Sequence, residues 1–529
     1  MKSIGKKIEL VIFAIPADTT LPYLESLKDV GCSQIVLFAA GFKENHTPEA
    51  EEREKKLRAV IEKNKLTLLG PNCIGYVNTH VGINATFLKS VVPPGNIGII
   101  SQSGALGSAI IDHFTAQSHL GVSTFISLGN KSNMTESDAL EYMANDAKTD
   151  VIGMYLEDVV DGDRFRQVLS VTVNKKPVVI LKSGRTPGGS QAAISHTASM
   201  VGDDSVFEAA IRQTGAIRMY TFSHFQEALR LFSFKQVPKN RNILVLSNAG
   251  GMGVMLADEL SEHCLHLVNI SEETTKKLYG AFDEYKKISV HNPIDLLGDA
   301  SAFDYEKAIT LTLKEKDLGA VIVLLTPQAN TQINETAQIL IDAQKKERDI
   351  PIYPVFMGGA SVKEAHTLFE EHKMSSFRIF SALPRVLTRI CEAQEYRNQL
   401  IHEKNQDLNS LPLTIHIPDI QTTLLQYVSK KIVNQYDSLN IMEYAGVTSA
   451  KPYLATSEED LQRIIRLEGF PLVSKIASEK ITHKTEVKGV LTGLNTWDEL
   501  LSAYQYMERI SGEKSGCYIQ KEIRGQEFI

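Results

Sequence analysis

Cysteine is scarce in this sequence, with five among 529 residues. Cys32, Cys73, Cys264, Cys391 and Cys517 are widely scattered, with no CxxC pair and no metal-ligand spacing. That pattern argues against a disulfide scaffold or a cysteine-built metal centre and fits a reducing cytoplasm. An excess of one charge is also missing. The net charge is −7, and no Lys/Arg-rich block occurs, which argues against nucleic acid as the main partner. Long apolar runs are absent as well, none approaching the roughly twenty residues of a membrane span. The N-terminal "MKSIGKKIELVIFAIPA" has the basic-then-apolar order of a signal peptide. Glu9 interrupts it and leaves only about seven apolar residues, the low end for such a segment. Residues 10–15 are therefore read as a buried strand.

What is present is an ordinary globular composition, 43% hydrophobic and 22% charged, in a chain long enough for three or four domains. Short apolar runs alternate with amphipathic segments, the pattern of parallel βαβ units. "LVIFAI" and "QIVLF" read as strands, and "TTLPYLESLKDVG" between them reads as a helix closed by Gly31. "TPEAEEREKKLRAVIEKNK" reads as a helix with Thr47 as N-cap and Pro48 at its first position. After "LTLLGPN" a loop is expected as far as Pro93 and Pro94. The boundaries follow as 1–92, 93–236, 237–405 and 406–529. The second and third regions read as separate doubly wound domains, and "HEKNQDLNSLPLTIHIPD" reads as a linker.

Two strand-to-helix turns are rich in small residues. "SQSGALG" offers Ser101, Ser103 and Gly104, and "SNAGGMG" offers Ser247, Asn248, Gly250 and Gly251. Free N–H groups and the positive end of the helix dipole meet at such turns, and small residues let a phosphate approach. Neither turn is a P-loop or a GxGxxG fingerprint, and a structural turn of a doubly wound sheet accounts for either one alone. Between them, "ISHTASMVGDD" reads as a loop with Ser195, His196 and Thr197 ahead of a helix opened by Asp203 and Asp204. A neutral imidazole is a competent nucleophile toward phosphorus, and a neighbouring acceptor fixes its tautomer. Glu157, at the end of the strand "GMYL", is placed to be that acceptor or a solvated loop acid.

Taken in order, "AAGFKE", "GPNCIGYVN", "INATF", "SQSGALG", "SLGNKSN", "YLEDVVDG", "SHTASMVGDD", "SNAGGMGV", "NPIDLLGDA", "FMGG" and "SKIASEKITHKTEVKGV" resemble the nucleoside-diphosphate-forming acyl-CoA synthetases. This is the superfamily of succinyl-CoA synthetase and ADP-forming acetyl-CoA synthetase. The resemblance implies an α/β fold: a partial Rossmann-like CoA-binding domain, two flavodoxin-like domains and the front of an ATP-grasp domain. It implies reversible conversion of acyl-CoA, phosphate and ADP to a carboxylic acid, CoA and ATP, through acyl phosphate and a phosphohistidine.

The same resemblance assigns roles. His196 would be the phosphorylated residue, held by Glu157, between the helix N-termini after Gly104 and Gly251. Pro16, Asn72, Cys73 and Asn130 would border CoA and the acyl group, although Cys73 is equally a packed core thiol by spacing. Lys475, Gln520, Glu522 and Glu527 would hold the nucleotide, and His483 would ferry phosphate between distant sites. Lys488 stands where the family more often has glycine. ATP or ADP, Mg²⁺ and coenzyme A are the implied cofactors and substrates. No nucleic acid or membrane partner is implied, and a homo-oligomer is left open. By the same comparison the chain is expected to lack a glycine-rich first turn and to stop before the Mg²⁺ ligands. A small acid such as acetate is the expected substrate. The rival readings are a CoA-sensing region of a protein acetyltransferase and a CoA-binding regulatory module without chemistry.

Overall fold

A computed structural model of the chain describes residues 8–116, 119–197, 202–282, 288–405, 417–427, 433, 435–447, 449–478, 484, 487–511 and 516–523. Two compact units divide it, Met1–His402 and Glu403–Ile529.

The first unit holds three sheets. In the first, β1 (Val11–Phe13), β2 (Gln34–Leu37) and β3 (Thr67–Leu69) run parallel in chain order. The helix Pro48–Asn64 crosses between β2 and β3, and the Thr47 hydroxyl accepts from Ala50 N at 3.2 Å, as its sequence signals require. The helix expected ahead of β2 is shorter, Ala17–Glu25, and ends in a 3₁₀ turn over Ser26–Val30.

The second sheet contains β4 (Gly75–Asn78), β5 (Ile83–Thr86), β6 (Pro94–Ser101), β7 (Val122–Ser127), β8 (Val151–Leu156), β9 (Val178–Lys182) and β10 (Ile217–Met219). Their order is β10-β9-β8-β6-β7-β4-β5. The last five strands in sequence, β6 to β10, are parallel, and the apolar run of β9 is buried throughout, as a sheet covered on both faces demands. The hairpin β4–β5 replaces the loop expected before Pro93. It pairs antiparallel with β7, so residues that follow the first sheet extend the edge of the second.

The third sheet is parallel. It comprises β11 (Asn242–Ser247), β12 (His266–Leu267), β13 (Ile294–Asp295), β14 (Ala320–Leu325) and β15 (Ile352–Phe356), in the order β12-β11-β14-β15 with β13 also on β11. The second and third regions keep separate sheets, and their apolar faces pack together: Ile97, Ile99 and Phe125 share one core with Ile243, Val245 and Val355. Arg230 adds two hydrogen bonds to the Ser376 carbonyl, at 3.2 and 3.1 Å.

The second unit has one antiparallel sheet. Its strands are β16 (Tyr453–Ala455), β17 (Leu472–Ile476), β18 (Val490–Leu494) and β19 (Cys517–Lys521), in the order β16-β19-β17-β18. The helices Glu458–Glu468 and Trp497–Ser511 contribute Leu461, Ile464, Leu500 and Met507 to its core.

Candidate active site

Parallel strands deliver their connecting turns to one edge of a sheet, where ligands of such folds bind. Here the turns after β2, β3, β6, β7 and β8 line a cavity of about 640 Å³. Of the residues singled out from sequence, Asn72, Cys73, Ser103, Gly104, Asn130 and Glu157 all line it.

The turn after β6 is held from within. Ser101 is fully buried, and its hydroxyl donates to the Ser103 carbonyl at 2.7 Å. The Ser103 hydroxyl accepts from Leu106 N at 3.4 Å, and the helix Gly104–Ala116 follows. The first N–H groups of a helix have no partner within it, and those of Gly104 and Ala105 stand at the cavity wall. A side chain at Gly104 would come within 3.1 Å of Ile74 Cγ1, so glycine keeps the wall close.

Gln102 ties this turn to the exit of β8. Its Oε1 accepts from Glu157 N (2.9 Å) and Asp158 N (3.2 Å), and its Nε2 donates to Asp158 Oδ1 (2.7 Å). Below lies a buried ion cluster: Lys131 Nζ donates to Glu136 Oε2 (2.9 Å), to the Asp158 carbonyl (3.0 Å) and to Asp158 Oδ1. Glu157 thereby has a fixed backbone and a nearly buried carboxylate, hydrogen-bonded to Tyr155, whose hydroxyl burial pushes upward. A carboxylate in this setting can orient an imidazole and stabilise its charged form.

The opposite wall is built by interlocked turns. Asn72 Nδ2 donates to Asn130 Oδ1 at 3.3 Å, and Asn130 Nδ2 donates to Glu44 Oε2 at 2.5 Å. Gly129 has φ +60°, and a Cβ there would lie 2.2 Å from the Pro71 carbonyl, so the two turns fit only with glycine. Cys73 Sγ donates to the Leu37 carbonyl at 3.4 Å. Burial pushes its thiol up to about 12, so it lines the cavity as a neutral group.

Other expected residues are placed elsewhere. Pro16 is exposed, and its carbonyl caps the helix Ala17–Glu25 by accepting from Thr19 N at 3.1 Å; it does not line the cavity. In the second turn, Ser247 donates to the Ala249 carbonyl at 2.9 Å. Asn248 Nδ2 donates to the Thr326 carbonyl, and its Oδ1 accepts from Thr326 N, both at 2.9 Å. Gly250 and Gly251 open the helix Gly250–Glu262, and a Cβ at Gly250 would stand 2.6 Å from Asp295 Oδ2. None of these second-turn residues lines the cavity. Ser195, His196 and Thr197 end the helix Pro187–Thr197 rather than forming a loop, and the His196 side chain is outside the described residues. Asp203 caps the next helix, Asp204–Thr214, as expected.

In the second unit, Lys475 lies on β17 opposite Tyr518 of β19. Burial lowers its ammonium below the usual lysine range, and Lys484 is lowered by burial and then by Lys475. Lys484 Nζ sits 5.5 Å from the Tyr518 ring centroid. Two neighbouring, partly desolvated ammonium groups suit a phosphate chain. Gln520 is turned inward, donating to the Ala450 carbonyl at 2.6 Å, and Glu522 Oε2 accepts from Gly493 N at 2.7 Å. His483 and Glu527 fall outside the described residues. Lys488 has φ 52°, the left-handed conformation that glycine adopts most cheaply.

Sequence reasoning assigned no role to Lys43, Gln102, Asp158 or Lys484, although Lys43 lies in "AAGFKE" and Gln102 in "SQSGALG". Among the described residues, no group of three or more His, Cys, Asp or Glu is disposed to hold a metal, so no reaction step is assigned to Mg²⁺. Among them, too, no helix is long and apolar enough to cross a membrane.

Comparison with known proteins accords with this architecture. Residues 94–232 match the succinyl-CoA ligase like flavodoxin domain, residues 243–390 the ligase-CoA domain, and residues 426–529 an ATP-grasp domain. The chain is 30% identical to an ADP-forming acetate–CoA ligase I of Archaeoglobus fulgidus, over 99% of this chain and 74% of the relative. It is 29% identical to an ADP-forming 4-hydroxybutyrate–CoA ligase of Nitrosopumilus maritimus, over 95% and 71%. The solved dinucleotide-forming acetyl-coenzyme A synthetase 1 of Ca. Korarchaeum cryptofilum, in complex with phosphate and ADP, superposes with a TM-score of 0.70 at 28% identity, covering 75% of this chain and 85% of that one. The chain thus spans about three quarters of the length of these ligase relatives. With its flavodoxin-like, ligase-CoA and ATP-grasp regions in this order, the chain belongs to the ADP-forming acyl-CoA synthetases, enzymes of the acid–thiol ligase type.

Proposed function

We propose that this enzyme interconverts acetyl-CoA, phosphate and ADP with acetate, CoA and ATP, through acetyl phosphate and a phosphohistidine at His196. The observation that carries the reading is the convergence of a helix N-terminus, the Glu157 carboxylate and the Asn72–Asn130 wall on one cavity. The cavity takes the thioester, with Asn72, Asn130 and the neutral Cys73 beside the acyl group. Phosphate is held by the N–H groups of Gly104 and Ala105. A phosphate oxygen attacks the thioester carbonyl carbon and the C–S bond breaks. The phosphate proton passes to the leaving thiolate, giving acyl phosphate and CoA. His196, oriented by Glu157, then takes the phosphoryl group and the carboxylate leaves. The turn at Asn248, Gly250 and Gly251 is the second anion cradle of this reading.

The nucleotide belongs to the second unit, with Lys475 and Lys484 against its phosphates. Gln520, Glu522 and Glu527 line the base and ribose, and His483 carries phosphate between the sites. The related ligases named for acetate favour a small acid. The scattered cysteines favour a cytoplasmic location, and sedimentation of the full chain would decide whether the enzyme forms a homo-oligomer.

The test is a panel of carboxylic acids assayed with CoA, ATP and Mg²⁺ on the full chain. Acetate and similarly small acids should give the fastest ADP release, and failure with every acid overturns the proposal. Incubation with γ-labelled ATP should leave an acid-labile, base-stable label. A His196→Ala variant labelled as strongly as the parent removes His196 from the mechanism.

A further inference from the structure

Among the described residues lining the cavity, Lys43 is the only cation. It opens the short turn Lys43–Asn45 after β2. Among the described residues no hydrogen bond or ion pair engages its ammonium, while every acid around it has other donors. Glu44 Oε1 accepts from Gly41 N (2.5 Å) and Phe42 N (3.2 Å), and its Oε2 accepts from Asn130. Asp158 is taken by Lys131 and Gln102. Glu54 Oε1 accepts from Arg58 Nε (2.9 Å) and Ser132 Oγ (2.6 Å), leaving only its buried Oε2 without a hydrogen bond. Glu157 bonds Tyr155. The cavity therefore holds an ammonium group whose charge no resident acid matches by direct contact.

Resting on the reaction proposed above, we infer that Lys43 is the cation that receives the attacking phosphate and holds the phosphoryl group of the acyl phosphate. The chemistry favours this assignment. A dianion entering the cavity meets the carboxylates of Glu44, Glu157 and Asp158, and helix N–H groups alone offer it partial charges. A full charge with three donors offsets that repulsion. Lys43 also has its proton held less firmly than an ordinary lysine. Burial is the main cause and Arg58 and Lys131 add to it, while Glu54 and Asp158 oppose it. Phosphate affinity should therefore fall on the alkaline side at lower pH than an exposed lysine would impose.

Cleavage of acetyl-CoA by the full chain, followed as release of CoA thiol in phosphate and in arsenate, tests the inference without any nucleotide. Lys43→Met should raise the KM for either anion about tenfold or more, the scale of losing a charge-assisted hydrogen bond, with the KM for acetyl-CoA within about twofold. Lys43→Arg should recover part of the anion affinity and move its alkaline limit upward, because guanidinium stays protonated. An unchanged anion KM in folded Lys43→Met overturns the inference. A rise confined to the acetyl-CoA KM also overturns it, assigning Lys43 to the phosphates of CoA. A lower melting temperature with both KM values unchanged overturns it too, leaving Lys43 as a counter-ion for Glu54.

A turnover-independent arm uses the unaltered enzyme. Inorganic phosphate should slow acylation of Lys43 by a succinimidyl ester, read by peptide mass spectrometry, and no protection overturns the inference. Absence of thioester cleavage by the parent would count against the proposed reaction, whereas the protection experiment still decides Lys43.

Discussion

The turns after β6 and β11 are built alike and end in different surroundings. In each, a buried serine closes the strand and donates to the carbonyl two residues on, Ser101 to Ser103 and Ser247 to Ala249. In each, the next residue is an amide that crosses to the exit of the neighbouring strand. Gln102 accepts from the N–H groups of Glu157 and Asp158 beyond β8, and Asn248 accepts from that of Thr326 beyond β14. What differs is the chain thus held. Beyond β8 stand two acids, and beyond β14 stand Thr326, Pro327 and Gln328. Only the first turn opens on the 640 Å³ cavity. The same local chemistry builds a small-residue strand-to-helix turn twice, and the charge on the adjoining loop is what separates the two.

Removing the charge should break the comparison most sharply. Glu157→Gln keeps the shape and the backbone clasp of Gln102, so folding should be nearly unchanged. Phosphoryl transfer to and from His196 should slow roughly 10²-fold or more, the scale of losing an acid–base partner. Rapid-quench measurement of phosphoenzyme formation checks this, and a parental rate would leave Glu157 as a loop acid.

The paired amides come next. Gln102→Ala and Asn248→Ala each leave backbone N–H groups without their acceptor, and each should cost about 1–3 kcal/mol of stability by denaturant titration. Gln102→Ala should also slow thioester cleavage, because Glu157 loses its fixed backbone, whereas Asn248→Ala should spare that half-reaction. Equal loss of cleavage in both would show that the two turns serve the acyl site alike.

The smallest effect is expected at Cys73. With the thiol held protonated by burial, Cys73→Ser should change thioester cleavage only a few-fold, and alkylation at neutral pH should modify exposed Cys264 first. The sign of the pH dependence follows. Unfolding releases the thiol proton above the ordinary value of 9.0, while the folded state keeps it to about 12, so stability should fall as pH rises through that window. A thermal-melt series of parent and Cys73→Ser across alkaline pH isolates this contribution.

Much of this was legible in the residues themselves. The alternation of strand and helix, the Thr47 cap, both glycine-rich turns and the position of Glu157 at a strand end are local patterns set by backbone periodicity and hydrogen-bonding chemistry. The hairpin β4–β5 was not legible, because two four-residue strands carry little periodic signal and gain their place by pairing with β7. Lys43 passed unassigned for a related reason. A lysine beside a glutamate in a turn looks solvated until its surroundings are known.

By itself the sequence determined the order of the elements, the anion-ready turns and the family, all of which rest on neighbours in the chain. The tertiary structure alone decided which turns share a cavity. Asn130 meets Glu44 across 86 positions, Gln102 meets Asp158 across 56, and Lys43 has no hydrogen-bond or ion-pair partner among the described residues because distant donors occupy the acids around it. The reason is physical. A side chain's charge and hydrogen-bonding capacity belong to its residue type, but whether that capacity is already spent depends on groups that only folding brings within reach.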